Sequence, residues 1–189
     1  MIRIVSLVIL FFLSTFIKVS AQSVSPENNT ADHTVAIQIP EVSLVNVTGN
    51  SVLQLSLVGP VEAGRPILNQ VSDSSFWLNY SFIKGSSSRP STNIYVRIAD
   101  GSVPPGTLLS VSAKPYAGNG NGSLGIPSGN VTLTNIEQKL VQDIESSYTG
   151  VGVGNGHQMV YSLKVNQSQY QQLDFQSSQQ VRLVYTISD

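Results

Sequence analysis

Apolar and polar residues alternate along most of this chain in short runs separated by turn residues. Val35, Ile37 and Ile39 alternate up to Pro40, Val42 to Val47 forms a second run ending at Thr48-Gly49-Asn50, and Val52 to Val58 stops at Gly59-Pro60. Phe76, Leu78, Tyr80 and Phe82 fall on one face of an extended segment. Ile94, Val96 and Ile98 alternate, Asp100-Gly101 and Pro104-Pro105-Gly106 make a connection, and Leu109, Val111 and Ala113 resume, which is a strand–turn–strand pattern. Met159, Tyr161, Leu163 and Val165, and then Val181, Leu183, Tyr185 and Ile187, close the series. A spacing of two is what a half-buried strand requires, because successive side chains point to opposite faces.

On the order of eight to ten such strands with almost no helical periodicity predict an all-β fold, a two-sheet antiparallel β-sandwich of immunoglobulin-like or pilin-like type. The Gly/Asn/Pro-rich stretch from Tyr116 to Asn130 reads as a loop excursion. Residues 134–145 admit two readings. Thr134 to Glu137 has capping-box spacing and Ile136, Leu140 and Ile144 recur every four residues, yet Leu140, Gln142 and Ile144 also share a strand face. The β surroundings favour the strand.

The first 21 residues break the rhythm. Arg3 supplies a positive start, Ile4 to Ile17 is an apolar run, and Val19-Ser20-Ala21 is a small-residue cleavage pattern, the layout of a secretory signal peptide. Roughly 14 residues fit before Lys18, fewer than the about 20 of a membrane span. The expected organisation is a signal peptide over 1–21, a polar flexible leader over 22–32, and one β-sandwich domain over 33–189. The product is then exported to the periplasm, the cell surface or the medium, with no membrane span after cleavage.

Composition narrows the chemistry. The 189 residues carry a net charge of −1, 11% charged residues and no cysteine. With no basic block, a nucleic-acid partner has no electrostatic support. The absence of cysteine removes disulfides, thiolate metal sites and a cysteine nucleophile. An exported domain without disulfides fits a bacterial envelope protein better than a eukaryotic secreted one.

Three stretches then resemble a known group: Asn93 to Val111, Ser147 to Leu163, and the closing Gln180-Val-Arg-Leu-Val-Tyr-Thr-Ile187. In strand rhythm and turn phrasing they are similar to small exported bacterial β-sandwich proteins of the fimbrial or pilin type. The resemblance implies a structural or adhesive subunit that associates by donor-strand exchange, in which an extended segment of one copy completes the sheet of the next. The extended leader and the alternating C-terminal strand fit that picture; the disulfide common in many pilins is absent.

Candidate chemistry is sparse. Gly120 to Gly125 matches G-x-G-x-x-G, but Pro127 and Gly129 follow and no βαβ unit surrounds it, so no nucleotide cofactor is expected. His33 and His157 stand too far apart to form a local metal cluster. Asp143 and Glu145 would share one strand face near the separation used by inverting glycosidases, without another group tied to them. The chain is therefore read as non-enzymatic, with no cofactor. Trp77, the one tryptophan, alternates away from Phe76 and Leu78 and is a candidate surface contact; Tyr116, Tyr148 and His157 beside the glycine-rich segments are weaker candidates. Partners are then a second copy or another protein at a sheet edge. The alternative is a carbohydrate-binding module using these exposed aromatics.

Overall fold

A computed structural model describes residues 31–50, 52–67, 70–85 and 87–189. The proposed signal peptide, and the leader apart from Ala31 and Asp32, lie outside the described residues. Residues 31–38 form no strand and are exposed. Ile39–Asp189 is one compact unit.

That unit is built from antiparallel strands: β1 Ser43–Thr48, β2 Gln70–Phe82, β3 Thr92–Asp100, β4 Thr107–Ala117, β5 Asn121–Pro127, β6 Asn130–Thr132, β7 Gln138–Tyr148, β8 Gly156–Val165 and β9 Arg182–Ser188. A short 3-10 turn over Gln167–Gln172 is the one helical element among the described residues. The expected all-β antiparallel class is what the chain adopts. The hydrogen-bonded path runs β6-β4-β8-β2-β7-β3-β9, with β1 added to β2 and β5 added to β7. β2 meets β7 only at Ser81↔Tyr148 and Phe82↔Ser147, whereas it pairs with β8 from Gln70 to Leu78 and with β1 from Trp77 to Phe82.

The alternation explains most of these strands. In β3, Thr92, Ile94, Val96 and Ile98 are buried while the residues between them are only half-buried. Leu78, Phe82, Val111, Leu140, Ile144 and Met159 join Ile94 and Val96 in one fully buried core drawn from both ends of the path. Each such aliphatic or aromatic side chain contributes about 1.5–3 kcal/mol by leaving water.

Two expected strands do not form. Val35, Ile37 and Ile39 alternate, yet no strand includes them. In Val52–Val58, Leu53, Leu55 and Leu57 are half-buried, and the first two pack on the core, while Val52, Gln54, Ser56 and Val58 are exposed; this stretch too is outside the strands. Alternation marks the side that faces the core in Val52–Val58, but Val35, Ile37 and Ile39 alternate while exposed. A ladder also needs backbone hydrogen bonds to a neighbouring strand, and the pairing that β1 makes with β2 covers only Trp77–Phe82.

The 116–130 excursion is corrected in the other direction. β4 continues through Tyr116 to Ala117, and most of the rest is β5 and β6. β5 lies against β7 because glycine leaves room: a Cβ at Gly122, where φ is +95°, would stand 2.1 Å from the Ser146 carbonyl oxygen. Of the two readings of residues 134–145, the strand is the one adopted. The Thr134 hydroxyl accepts from the Ile136 N–H in a local turn, and β7 begins at Gln138. Asp143 takes a left-handed φ of +58° there, so Leu140, Val141 and Ile144 are all buried although they do not alternate. Arg89 links the residues after β9 to those before β1: it reaches Asp189 at 2.6 Å and Glu41 at 3.7 Å while lying over the Phe82 ring.

Candidate functional site

A hydrogen-bonded cluster of His157, Tyr80 and Tyr116 lies among β2, β4, β5 and β8. β2 delivers Tyr80, β4 delivers Tyr116, and β8 opens with Gly156 and His157 directly opposite Leu78. His157 has no exposed surface. Its Nδ1 donates to the Lys114 carbonyl at 2.8 Å, and its Nε2 stands 3.0 Å from the Tyr80 hydroxyl and 3.2 Å from the Leu124 carbonyl. The Tyr80 hydroxyl donates to that same Leu124 carbonyl. The Tyr80 ring stacks on the imidazole at 5.8 Å and the Tyr116 ring meets it edge-on at 6.2 Å. Every polar atom here is partnered, which is the condition for burying such groups at all. Burial, with a smaller contribution from nearby Tyr116, pushes the Tyr80 phenol well above its ordinary range.

Of the four contact residues anticipated from sequence, the fold brings together Tyr116 and His157. His157 is buried instead of lying at the surface, because only in the folded chain do the carbonyls of residues 114 and 124 meet it. Tyr116 is half-buried; its hydroxyl accepts from the Gly120 N–H and donates to the Thr149 carbonyl at 3.3 Å. Trp77 is also half-buried, paired across β2 with Thr48 and Gln158. Tyr148 is the outward one, 52% exposed. It lies opposite Asn121 in a shallow hollow bordered by Val42, Ser81, Ile83 and Ser146.

Sequence reading missed Asn79 and Asn155. Asn79 is buried where strand alternation would place an outward residue. Its Nδ2 donates to the Asn155 carbonyl at 2.6 Å and the Gly152 carbonyl at 3.2 Å, and its Oδ1 accepts from Thr48. Asn155 in turn accepts from the Asn119 N–H and donates to the Val151 carbonyl. These amides frame the Gly150–Gly156 turn and hold Val151 and Val153 outward, 90% and 65% exposed. The available signal was a run of glycines with free carbonyls, which needs amide donors from elsewhere.

The other candidates disperse. Glu145 pairs with Lys84 at 2.5 Å, while Asp143 sits exposed at the left-handed position with its N–H donating to Asn93. Among the described residues no group of three or more His, Asp or Glu side chains is placed to hold a metal. The G-x-G-x-x-G run lies before and within β5, not at a helix N-terminus. No helix among the described residues is long and apolar enough to cross a membrane. No family model, curated protein or solved structure matches this chain.

A second pair of phenols, Tyr161 buried and Tyr185 half-buried, sets an alkaline limit. Tyr161 and Tyr185 share a 2.6 Å hydroxyl–hydroxyl hydrogen bond, and Phe76 meets the Tyr161 ring edge-on. Burial pushes Tyr161 up to about 12, the hydrogen bond from Tyr185 opposing and Asp73 adding to the rise. Burial likewise raises Tyr185, with Tyr161 beside it contributing. In the unfolded chain these phenols ionise near pH 10. The folded state therefore holds protons that the unfolded state has released. The stabilisation is fully present below about pH 10 and falls as pH rises toward the folded values, by up to about 1.4 kcal/mol per unit for each group. Melting temperature should be level from about pH 8 to 9.5 and fall steeply above about 10, with Tyr161→Phe reducing the slope. A melting temperature unchanged up to about pH 11 contradicts this role for the pair.

Proposed function

We propose that this chain is an exported, non-enzymatic β-sandwich protein, a structural or adhesive fimbrial-like subunit of a bacterial envelope that associates with itself through strand addition. The sandwich reading is supported by the narrow β2–β7 junction. It allows β6-β4-β8-β2 and β7-β3-β9 to act as two layers over the one core to which both contribute.

The observation that carries the assembly reading is the segment His33–Pro40. Val35, Ile37 and Ile39 are 65%, 86% and 75% exposed, alternate at strand spacing, and belong to no strand. Such a segment gains about 1.5–3 kcal/mol for each side chain it buries in a neighbour's sheet, and its backbone can complete an open edge. The edges are little protected: β1, β5 and β6 carry no charged residue and β9 carries only Arg182. The mature chain should form concentration-dependent oligomers by sedimentation velocity. Ile37→Asp should weaken them about 100-fold, by removing one apolar anchor and forcing a charge into the new sheet. A mature chain that stays monomeric at high concentration defeats this reading.

A second reading, a carbohydrate-binding module, is favoured by Tyr148. An exposed ring beside the Asn121 amide and the hydroxyls of Ser81 and Ser146 offers a stacking platform with hydrogen-bonding groups. Glycan-array binding that is lost in Tyr148→Ala and retained in Trp77→Ala supports it; binding that survives Tyr148→Ala removes it.

A further inference from the structure

The sequence holds three Asn-Gly pairs, Asn119-Gly120, Asn121-Gly122 and Asn155-Gly156, and the fold treats them differently. Glycine after asparagine matters chemically because no side chain hinders attack of the following backbone nitrogen on the asparagine amide. At Gly120 that nitrogen is engaged by the Tyr116 hydroxyl. At the third pair the Asn155 amide is held at both ends, by the Asn119 N–H and the Val151 carbonyl, and Gly156 is buried within β8.

The Asn121 pair is engaged differently. Asn121 is exposed, and the one hydrogen bond to its side chain comes from the Gly122 N–H at 2.7 Å to Oδ1, which brings the attacking nitrogen beside the amide carbon. The β5–β7 register also shifts between Gly122 and Leu124, so this end of the strand is irregular.

We propose that Asn121 is a site of spontaneous amide-to-acid conversion in the folded protein, driven by the Gly122 nitrogen. That nitrogen forms a bond to the Asn121 Cγ and gives up its proton. The Cγ–Nδ2 bond breaks, and ammonia leaves, carrying that proton. Water then opens the five-membered imide at either carbonyl and yields aspartate or isoaspartate. Both products place a carboxylate opposite Tyr148. The isoaspartate also lengthens the backbone by a methylene at the start of β5, where it meets β7.

The test is to incubate the folded full-length mature chain at mildly alkaline pH and map conversion over time by peptide mass spectrometry. Asn121 should convert faster than Asn119 and Asn155 by on the order of tenfold or more, since positioning of the reacting atoms sets the rate. In denaturant, where the tertiary restraints vanish, the three sites should converge. Tyr116→Phe, which releases the Gly120 nitrogen, should raise the Asn119 rate while leaving Asn121 ahead. Equal rates at the three sites in the folded chain, or Asn119 converting first, overturn the proposal. Far-ultraviolet circular dichroism of each sample establishes that the compared chains are folded.

Discussion

Replacing His157 with alanine is expected to remove about 3–5 kcal/mol of stability, a large share of the about 5–15 kcal/mol a domain possesses. Two costs combine. The imidazole is fully buried, so its loss leaves a cavity bounded by the Tyr80 and Tyr116 rings. Its Nδ1–H also donates to the Lys114 carbonyl, and a buried acceptor deprived of its donor costs about 1–3 kcal/mol. Companion variants separate these costs. His157→Phe restores volume but not the Nδ1–H donor, and should recover only the cavity part. Tyr80→Phe keeps the imidazole near the Leu124 carbonyl and should cost about 1–2 kcal/mol. Urea denaturation of the three variants measures the series. If His157→Ala costs less than about 1 kcal/mol, the histidine does not hold β4, β5 and β8 together as described.

What could be read ahead of the fold follows from what alternation means. β2, β3, β4 and β8 were legible because their inward residues reach one shared core and their outward residues do not. Val35–Ile39 carries the same rhythm while exposed, and Leu53–Leu57 carries it with one side half-buried, both without a strand, since neither rhythm nor burial supplies a neighbouring backbone. β5 was hidden for the opposite reason. Its strand-averse composition is tolerated because Gly120, Gly122 and Gly125 give up side chains so that the backbone can lie close to Tyr148, Ser146 and Ile144. His157 was misread and Asn79 missed because their partners lie far off in sequence: residues 114 and 124 for the first, 152 and 155 for the second. Tyr148 was legible as an outward aromatic, and its pairing with Asn121 became visible only once β5 was recognised as a strand.

The glycine-rich turn between β7 and β8 makes the second large prediction, because it separates two reasons for using glycine. Gly152, Gly154 and Gly156 all have left-handed φ, at +84°, +86° and +93°. Around Gly152 and Gly154 an added Cβ meets nothing within 4 Å, whereas at Gly156 it would stand 2.1 Å from the Leu78 carbonyl oxygen. Alanine at 152 or 154 should therefore cost only the left-handed penalty, about 1–2 kcal/mol each. At Gly156 the obstacle is backbone of β2, which is fixed by pairing with both β1 and β8. Relief requires β8 to move outward, taking His157 off its carbonyl partners. Gly156→Ala should then cost at least about 4 kcal/mol, comparable to losing the imidazole itself, or prevent folding altogether. Combined with His157→Ala it should cost less than the sum of the two, since both act through the same strand contact. Chemical denaturation of the three alanine variants tests the ranking. Equal losses at 152, 154 and 156 would mean that the turn alone selects glycine, and that β8 is not held against Leu78 as tightly as the register indicates.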